Sequence, residues 1–265
     1  MSETTHTLTF LGTGASCGVP SFYCGCKACD EARQNPLAAR DCSDLLISGT
    51  QNTLIDAAPE LRLQLIREQV GSIDQLVVTH GHFDHIGGIP QLEYYVKLRA
   101  GAPVPVYAGQ QTMETIKRQF GFMIDALDLN QLAVFQTIEL DGVSYTALPA
   151  THGGDAFGYL IRTSVTKAAY FPDTGPLPVE VLAYLDDLDL LIVDSTFCGR
   201  NWMPHSHHSV DEAVKLSQQL QAKKTYLTHL SMHYDTPTTL VELKRQLSGY
   251  GGAIQVAYDG LRIGI

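Results

Sequence analysis

The stretch Thr79-His80-Gly81-His82-Phe83-Asp84-His85 follows the apolar run Leu76-Val77-Val78 and decides the fold. Three histidines and one aspartate fall within positions 80–85, which is too dense for an ordinary solvated loop. A short β-branched run of this kind predicts a strand, with the polar cluster on the loop at its carboxyl end. The first two histidines can share one cation, and the aspartate and the third histidine can reach a second cation beside it. The stretch therefore predicts a metal centre.

This H-x-H-x-D-H stretch resembles the metal-binding signature of the metallo-β-lactamase superfamily. The resemblance implies an α/β (α+β) fold, the four-layer αββα sandwich, which usually holds two metal ions. Strand-helix units surround both His80 and His229, as a sandwich of two halves would require. No linker rich in Pro, Ser or Gly separates the halves, so we expect residues 1–265 to form a single metallo-β-lactamase-fold domain.

Three further polar residues follow predicted strands. His152 comes after Val143–Leu148, Asp173 after Ala168–Phe171, and His229 after the run ending at Thr228. Carried over by position, the resemblance assigns ligands to a first metal, to a second metal and to a bridge between them. The first set is His80, His82 and His152, the second is Asp84, His85 and His229, and the bridge is Asp173.

Imidazoles and carboxylates form a nitrogen and oxygen site that suits zinc, manganese or iron rather than calcium or copper(I). Two adjacent cations lower the pKa of a shared water and clamp the oxygens of the electrophile. The expected nucleophile is therefore a hydroxide held between the metals, and no serine or cysteine nucleophile is needed. Asp84 is expected to act in catalysis as well, by accepting the hydrogen bond of that hydroxide.

A candidate general acid lies in the segment Pro204–Ser209. His207 aligns best with the position at which relatives place a group that protonates the leaving oxygen, and His208 is the alternative. A polar loop with incidental histidines is the remaining alternative. Ser209 and Glu212 form a capping-box pattern, which predicts that a helix begins directly after these histidines.

Three cysteines crowd into C-x-C-x2-C at Cys24, Cys26 and Cys29. They could supply three thiolates to a tetrahedral zinc, or they could be three reduced buried thiols. With Gly18-Val19-Pro20 before them and Arg40-x-Cys42-Ser43 after them, they resemble one branch of the superfamily. That branch contains the phosphoribosyl cyclic phosphodiesterase of bacterial phosphonate utilisation.

Enzymes of that branch carry an accessory structural zinc bound by three cysteines and a histidine. Its fourth ligand usually lies three residues after the last histidine of the site, where this chain has Met232. Because a thioether binds zinc(II) poorly compared with imidazole, we predict that His233 completes the zinc site with Cys24, Cys26 and Cys29.

The composition narrows the class of partner. The net charge is −10 and no cluster of Lys or Arg stands out, so a nucleic-acid ligand is not favoured. No apolar run approaches the roughly 20 residues of a membrane span. Met1–His6 lacks the features of a secretory signal, and crowded cysteines suit a reducing compartment, so we expect a cytoplasmic protein. A homodimer is compatible with the sequence.

The expected activity is that of a metal-dependent hydrolase, with a phosphodiesterase acting on a small, cyclic phosphodiester favoured. Hydrolysis of a thiolester, a lactone or lactam, or processing of tRNA 3′ ends would use similar metals. A di-iron oxidoreductase is a further alternative, although such relatives have glutamate where this chain has His82. A protein that binds without catalysis is disfavoured because all seven ligand positions are present.

Several scaffold positions also carry expectations. Asp56 could orient a ligand histidine or cap the helix that follows it. Leu61, Leu65 and Ile66 should share the buried face of that helix. Residues 121–130 fit no period, which indicates a surface loop or a lid.

Two other features are assigned to packing. We interpret the turn Gly12-Thr13-Gly14 as scaffold beneath the site, and Cys17 and Cys42 as small buried residues.

Overall fold

The computed structural model describes residues 6–265, so Met1–Thr5 of the segment searched for a secretory signal lie outside it. Within that range the strands are β1 Thr7–Gly12, β2 Asp44–Ser48, β3 Asn52–Ile55, β4 Gln75–Val77, β5 Val104–Ala108, β6 Leu127–Gln131, β7 Thr137–Leu140, β8 Val143–Pro149, β9 Phe157–Arg162, β10 Lys167–Phe171, β11 Leu190–Asp194, β12 Lys224–Thr228, β13 Ile254–Val256 and β14 Arg262–Gly264. The helices are α1 Lys27–Gln34, α2 Leu61–Arg67, α3 Phe83–Ile86, α4 Gln91–Tyr95, α5 Gln110–Phe120, α6 Val179–Leu182, α7 Val210–Leu220 and α8 Leu240–Leu247. A π-helical turn, Val96–Ala100, extends α4.

The strands form two seven-stranded sheets with orders β14-β1-β2-β3-β4-β5-β6 and β13-β12-β11-β10-β9-β8-β7. Each sheet is antiparallel in one half and parallel in the other. In the first sheet β3, β4, β5 and β6 run parallel, and in the second β10, β11, β12 and β13 do. Parallel neighbours present their carboxyl ends at the same edge, so both sheets can bring loop residues to a common site.

Alternation along the strands builds the layers. In β2, Leu45 and Ile47 pack between the two sheets, while Leu46 between them packs against helices. In β11, Ile192 faces the opposite sheet and Leu191 faces the helical layer. Because successive side chains point to opposite faces, each sheet is covered on both sides. The predicted four-layer αββα sandwich is confirmed.

Two expectations about the scaffold are wrong. Ile66 is 62% exposed, whereas Gln64 is buried and its amide donates to the Cys42 carbonyl at 3.2 Å. The helix after Pro59 therefore buries a polar residue, Gln64, against the segment that contains Cys42. The stretch 121–130 is neither a plain loop nor a lid, because Leu127–Gln131 forms the edge strand β6, parallel to β5. Its short, half-exposed pattern gave no period to recognise.

The Gly12-Thr13-Gly14 turn lies against the segment that follows His229. A Cβ on Gly12 would stand 1.8 Å from the Cys42 carbonyl oxygen, so only glycine allows this approach. The Leu230 N–H donates to the Thr13 carbonyl at 3.0 Å. The turn therefore supports one of the loops that reach the site, as the sequence indicates.

Across residues 6–265, none of the helices combines the length and the apolar composition that crossing a membrane would require.

Candidate metal centre

All seven predicted ligands converge: six of them follow the parallel strands β4, β10 and β12, and His152 follows the antiparallel strand β8. One nitrogen or oxygen each from His80, His82, His152 and Asp173 lies within 4.8 Å of the others. A second group, Asp84, His85, Asp173 and His229, meets the same limit, and Asp173 belongs to both groups. We call these seven residues the histidine–aspartate cluster. Their arrangement has the two-site form that the resemblance implies, with one shared carboxylate.

Asp173 stands at the centre of this cluster. Its Oδ2 lies 2.9 Å from His85 Nε2 and 3.3 Å from His80 Nε2. Its Oδ1 lies 3.0 Å from His229 Nε2, so the carboxylate faces both groups at once. Asp84 Oδ2 lies 3.5 Å from both His85 Nε2 and His229 Nε2. A cation in the second group would therefore find nitrogen and oxygen donors on opposite sides.

Each of four buried or half-buried imidazoles turns one nitrogen outward to an oxygen, which leaves Nε2 facing the cluster. His80 Nδ1 lies 3.0 Å from Thr79 Oγ1, and His85 Nδ1 lies 2.8 Å from Asp56 Oδ2. The remaining outer contacts join His152 Nδ1 to the Ser206 carbonyl at 2.8 Å and His229 Nδ1 to Thr196 Oγ1 at 2.9 Å. When Nδ1–H donates to these oxygens, the unprotonated Nε2 is directed inward, as metal ligation requires.

The donor set fits divalent cations. Among the described residues, His85 Nε2, His229 Nε2 and Asp173 Oδ1 are buried without a hydrogen-bond partner. Buried polar atoms are normally paired, so these inward-facing atoms need an occupant between them. Burial, reinforced by the charge of His85, holds the pKa of His80 well below its ordinary value, which keeps that imidazole neutral. Neutral imidazole is the form that binds a metal.

The carboxylates of the cluster stay charged. Burial opposes ionisation of Asp84, but the charge of His85 and the neighbouring His229 ring hold its pKa below the ordinary value. Burial likewise opposes ionisation of Asp173, and His229 and His207 outweigh it, so its pKa is also lowered. Two carboxylates that stay anionic at the centre of the cluster make a site that attracts cations.

Asp56 holds the ring of His85, a predicted ligand, which agrees with the first of the two roles considered for it. It is fully buried, and both its oxygens also accept from the Thr79 hydroxyl. The backbone of Asp56 is left-handed at φ 66°, and that of His229 is left-handed at φ 56°. Non-glycine residues rarely adopt this conformation, and such strain is typical of functional sites.

His207 and His208 occupy different environments. His207 lines the cleft beside the histidine–aspartate cluster, and its Nδ1 lies 2.8 Å from Asp194 Oδ2. Burial opposes protonation of His207, but Asp173 and Asp194 raise its pKa to about 10. His208 is buried behind the cleft, and burial lowers its pKa. Of the two candidates, His207 alone reaches the cleft. Both capping-box bonds between Ser209 and Glu212 are present at the start of α7, so the position of this segment is well defined.

Sequence reasoning missed Asp194. This fully buried carboxylate accepts from the backbone N–H groups of Thr174 and Thr196, from the Thr196 hydroxyl and from His207. It connects the loop of Asp173 with His207. The signal was available, because Asp194 ends an apolar strand, as Asp56 follows one.

The sulfurs of Cys24, Cys26 and Cys29 also lie within 4.8 Å of one another, and we call them the cysteine cluster. No disulfide joins them. No ring nitrogen of His233 belongs to this group, although both His233 nitrogens are buried without a partner among the described residues. Met232 is engaged elsewhere, since Arg40 Nε lies 3.2 Å from its sulfur. The structure thus brings the three thiols together. His233, the residue after Met232, lies outside the group.

Of the two cysteines interpreted as packing residues, Cys42 is 1% exposed, as expected. Cys17 is only half-buried, and its sulfur lies 3.0 Å from the hydroxyl of Tyr234, which lines the cleft. Cys17 therefore stands beside the cleft wall rather than in the core.

Comparisons with known proteins bear on the same region. A family model described as "Beta-lactamase superfamily domain" matches residues 51–230, which include every member of the histidine–aspartate cluster. The crystal structure of a diphosphatase from the PhnP family is 31% identical, with a TM-score of 0.87 and coverage of 98% of this chain and 97% of that one.

Two curated relatives complete the comparison. Octanoyltransferase of Porphyromonas gingivalis is 26% identical over 96% of this chain, which spans only 52% of that protein. The chain thus covers about half the length of this relative. Ribonuclease Z of Bradyrhizobium diazoefficiens is 25% identical over 90% of this chain and 94% of that protein.

Proposed function

Because this chain belongs to the beta-lactamase superfamily, we propose that it is a metal-dependent phosphodiesterase acting on a small phosphodiester, with a cyclic one favoured. The observation that carries the proposal is the pairing of the histidine–aspartate cluster with His207 in one cleft. A pair of metal ions by itself is compatible with many kinds of hydrolysis. A cleft histidine held by a buried carboxylate adds a proton donor for an alkoxide leaving group.

Two divalent cations, zinc or manganese with iron as an alternative, are assigned to the cluster. His80, His82 and His152 would hold one, and Asp84, His85 and His229 the other, with Asp173 shared. When bound, such cations supply a water of lowered pKa and positive charge for the oxygens of the ester. The carboxylate of Asp84 stays anionic at the cluster, where it can accept the hydrogen bond of the attacking hydroxide.

His207 is assigned the protonation of the leaving oxygen. Asp194 accepts from Nδ1, which fixes the ring and leaves Nε2 as the second nitrogen that can carry a proton. The same carboxylate stabilises the imidazolium before the proton is transferred, as a buried acid does for other catalytic histidines. A proton delivered at this position matters most for esters whose leaving group is a poor one.

A small substrate suits the cleft better than a polymer does. The cleft has a volume of about 200 Å³, and neither lysine nor arginine lines it. With a net charge of −10, the chain also lacks the excess of basic residues that binding many phosphates requires. These features disfavour tRNA processing, the activity suggested by the ribonuclease Z relative.

An accessory structural zinc is proposed for the cysteine cluster, with His233 as its fourth ligand. Structural zinc sites are closed, and three thiolates alone would leave one position open. The two unpartnered nitrogens of His233 and the engagement of the Met232 sulfur by Arg40 support the choice of His233 over Met232. The loop after Ser231 would have to move to bring His233 into the group.

The proposal is tested by metal analysis of the purified chain, followed by a substrate screen. The screen contains 2′,3′-cyclic, 1,2-cyclic and acyclic phosphodiesters, a diphosphate ester, a thiolester, a lactam and a precursor tRNA. We expect three metals per chain and the highest kcat/KM on a small cyclic phosphodiester. Preferential cleavage of the thiolester, the lactam or the tRNA would overturn the proposal, as would the absence of bound metal.

A further inference from the structure

One side of the cleft is made of aromatic rings that the chemistry described above does not use. Phe197, Trp202 and Tyr234 line it together with Met203, and we call the three rings the aromatic wall. The histidine–aspartate cluster and His207 lie across the same cleft. The wall therefore borders the place where the phosphodiester is proposed to react.

The three rings form one continuous surface. Phe197 is fully buried, and its ring lies 5.0 Å from that of Trp202 at an interplanar angle of 69°. Tyr234 lies 5.9 Å from Phe197 and 6.0 Å from Trp202. Trp202 is nevertheless 52% exposed, so much of the indole is left uncovered. A large aromatic side chain that is supported from behind and open toward a cleft is suited to receive another ring.

The wall is held in register with the proposed general acid. Asn201 donates from its side-chain amide to the His207 carbonyl at 2.8 Å and to Glu212 at 2.8 Å. The His207 N–H donates to the Met203 carbonyl at 3.0 Å. Trp202 lies between these two anchors in sequence, so its backbone cannot move far without moving His207. Phe197 also meets His207 directly, ring to ring, at 6.1 Å.

We propose that the aromatic wall is a subsite for the base of a nucleoside, so that the substrate is a nucleoside phosphodiester. This inference rests on the proposed function, which places the phosphate at the histidine–aspartate cluster. A nucleoside carries its base one sugar away from the phosphate, and the wall begins at Phe197, whose ring lies 6.1 Å from that of His207. Stacking accepts any base because every base has a π-face. The absence of lysine and arginine from the cleft lining agrees with recognition by a neutral aromatic surface.

A fluorescence titration tests the subsite without requiring turnover. Trp202 is the only tryptophan of the sequence, so all tryptophan emission reports on the wall. We expect adenosine and uridine monophosphates to quench the emission of the metal-loaded protein, whereas ribose 5-phosphate and inorganic phosphate should not. Equal quenching by ribose 5-phosphate, or none by either nucleotide, would overturn the proposal.

Variants give the kinetic test. Trp202→Ala should lower kcat/KM for a nucleoside 2′,3′-cyclic phosphate roughly 5- to 100-fold, mostly through KM, because that is the range that loss of one stacked base covers. The fall should be much smaller for ribose 2,3-cyclic phosphate, which has no base. Trp202→Phe, which keeps a stacking face, should recover most of the activity. Tyr94→Ala is the matched control, because Tyr94 is an exposed aromatic (65%) outside the cleft lining.

The outcomes separate the two proposals. An equal fall on both esters would mean that Trp202 positions His207, and it would refute the base subsite. If the unmodified protein cleaves no phosphodiester at all, the proposed function fails, and the fluorescence titration still decides whether the wall binds a base.

Discussion

The histidine–aspartate cluster and the cysteine cluster both gather ligand atoms within 4.8 Å, yet they are held in different ways. Four ligand imidazoles of the first cluster are fixed from outside by an oxygen, including those of Asp56 and Thr196. Those oxygens come from strand ends and loops of both sheets. The cysteines come from one short segment, and Cys26 directly precedes helix α1. Residues from both sheets form the first cluster, whereas the single segment 24–29, which runs into α1, forms the second.

The difference indicates which site needs its metal in order to keep its shape. A ligand whose outer atom is hydrogen-bonded is oriented before a cation arrives, and its affinity depends on that partner. Three thiols from one short segment can be drawn together by the cation itself, as in small zinc-dependent modules. In the absence of zinc, burial raises the pKa of Cys29 to about 12, so this thiol stays protonated. We therefore expect metal removal to loosen the cysteine cluster and to leave the other cluster in place.

The largest expected effect follows from removing the shared carboxylate. Asp173→Ala should lose at least one metal per chain and lower kcat/KM by more than about 100-fold, because loss of an outer partner alone reaches that value. Metal content by mass spectrometry and turnover on a cyclic phosphodiester measure both effects. Asp128→Ala, which removes an exposed carboxylate of β6, is the control. Full metal content and activity in Asp173→Ala would mean that this aspartate is not a ligand.

His207→Ala should retain both catalytic metals and lose a factor of about 10² to 10⁴ in kcat on esters with poor leaving groups. The loss should be much smaller on a nitrophenyl ester, whose leaving oxygen needs no proton. His208→Gln is the neighbouring control and should be close to the unmodified protein on both esters. Equal losses on the two esters would assign His207 a positioning role.

Asp56→Asn tests the hydrogen bond that holds the His85 ring from outside the cluster. The substitution preserves shape but replaces the charged partner of His85, so metal affinity should fall about 10- to 100-fold. Competition with a chelator measures that affinity at the catalytic pair, while zinc in the cysteine cluster serves as the internal reference. An unchanged affinity at the catalytic pair would show that the charge of Asp56 does not tune His85.

The smallest effect on turnover is expected at the cysteine cluster. Cys26→Ser should lose one zinc per chain, keep the catalytic metals and melt earlier, by about 2–4 °C for each kcal/mol of stability lost. His233→Ala should lose the same zinc if His233 is the fourth ligand. Cys198→Ser, outside the cluster, should do neither. Unchanged zinc content and Tm in Cys26→Ser would identify the cysteines as reduced thiols only.

Sequence reasoning succeeded where the chemistry is dense along the chain. His80, His82, Asp84 and His85 fall within six positions, so the sequence alone identified them as a candidate group, and the fold brings their side chains together. It failed where a side chain's environment depends on packing. Ile66 was expected inside and lies outside, because Gln64 takes the buried position and bonds the Cys42 carbonyl. No local sequence pattern predicts that Gln64 rather than Ile66 is buried.

The candidate ligand types and their order were determined by the sequence, because metal-binding side chains can be recognised locally, whereas the α/β sandwich was implied by the resemblance to the superfamily. The hydrogen bonds that hold the imidazoles from outside the cluster were decided by tertiary structure. Asp56 and His85 are 29 residues apart in the sequence, and Thr196 and His229 are 33 apart. The rings of Trp202 and Tyr234 in the aromatic wall are likewise distant in the sequence and close in the fold. Such pairs exist only once the strands are paired in register, because the register places their carboxyl ends, and the residues that follow them, at one edge.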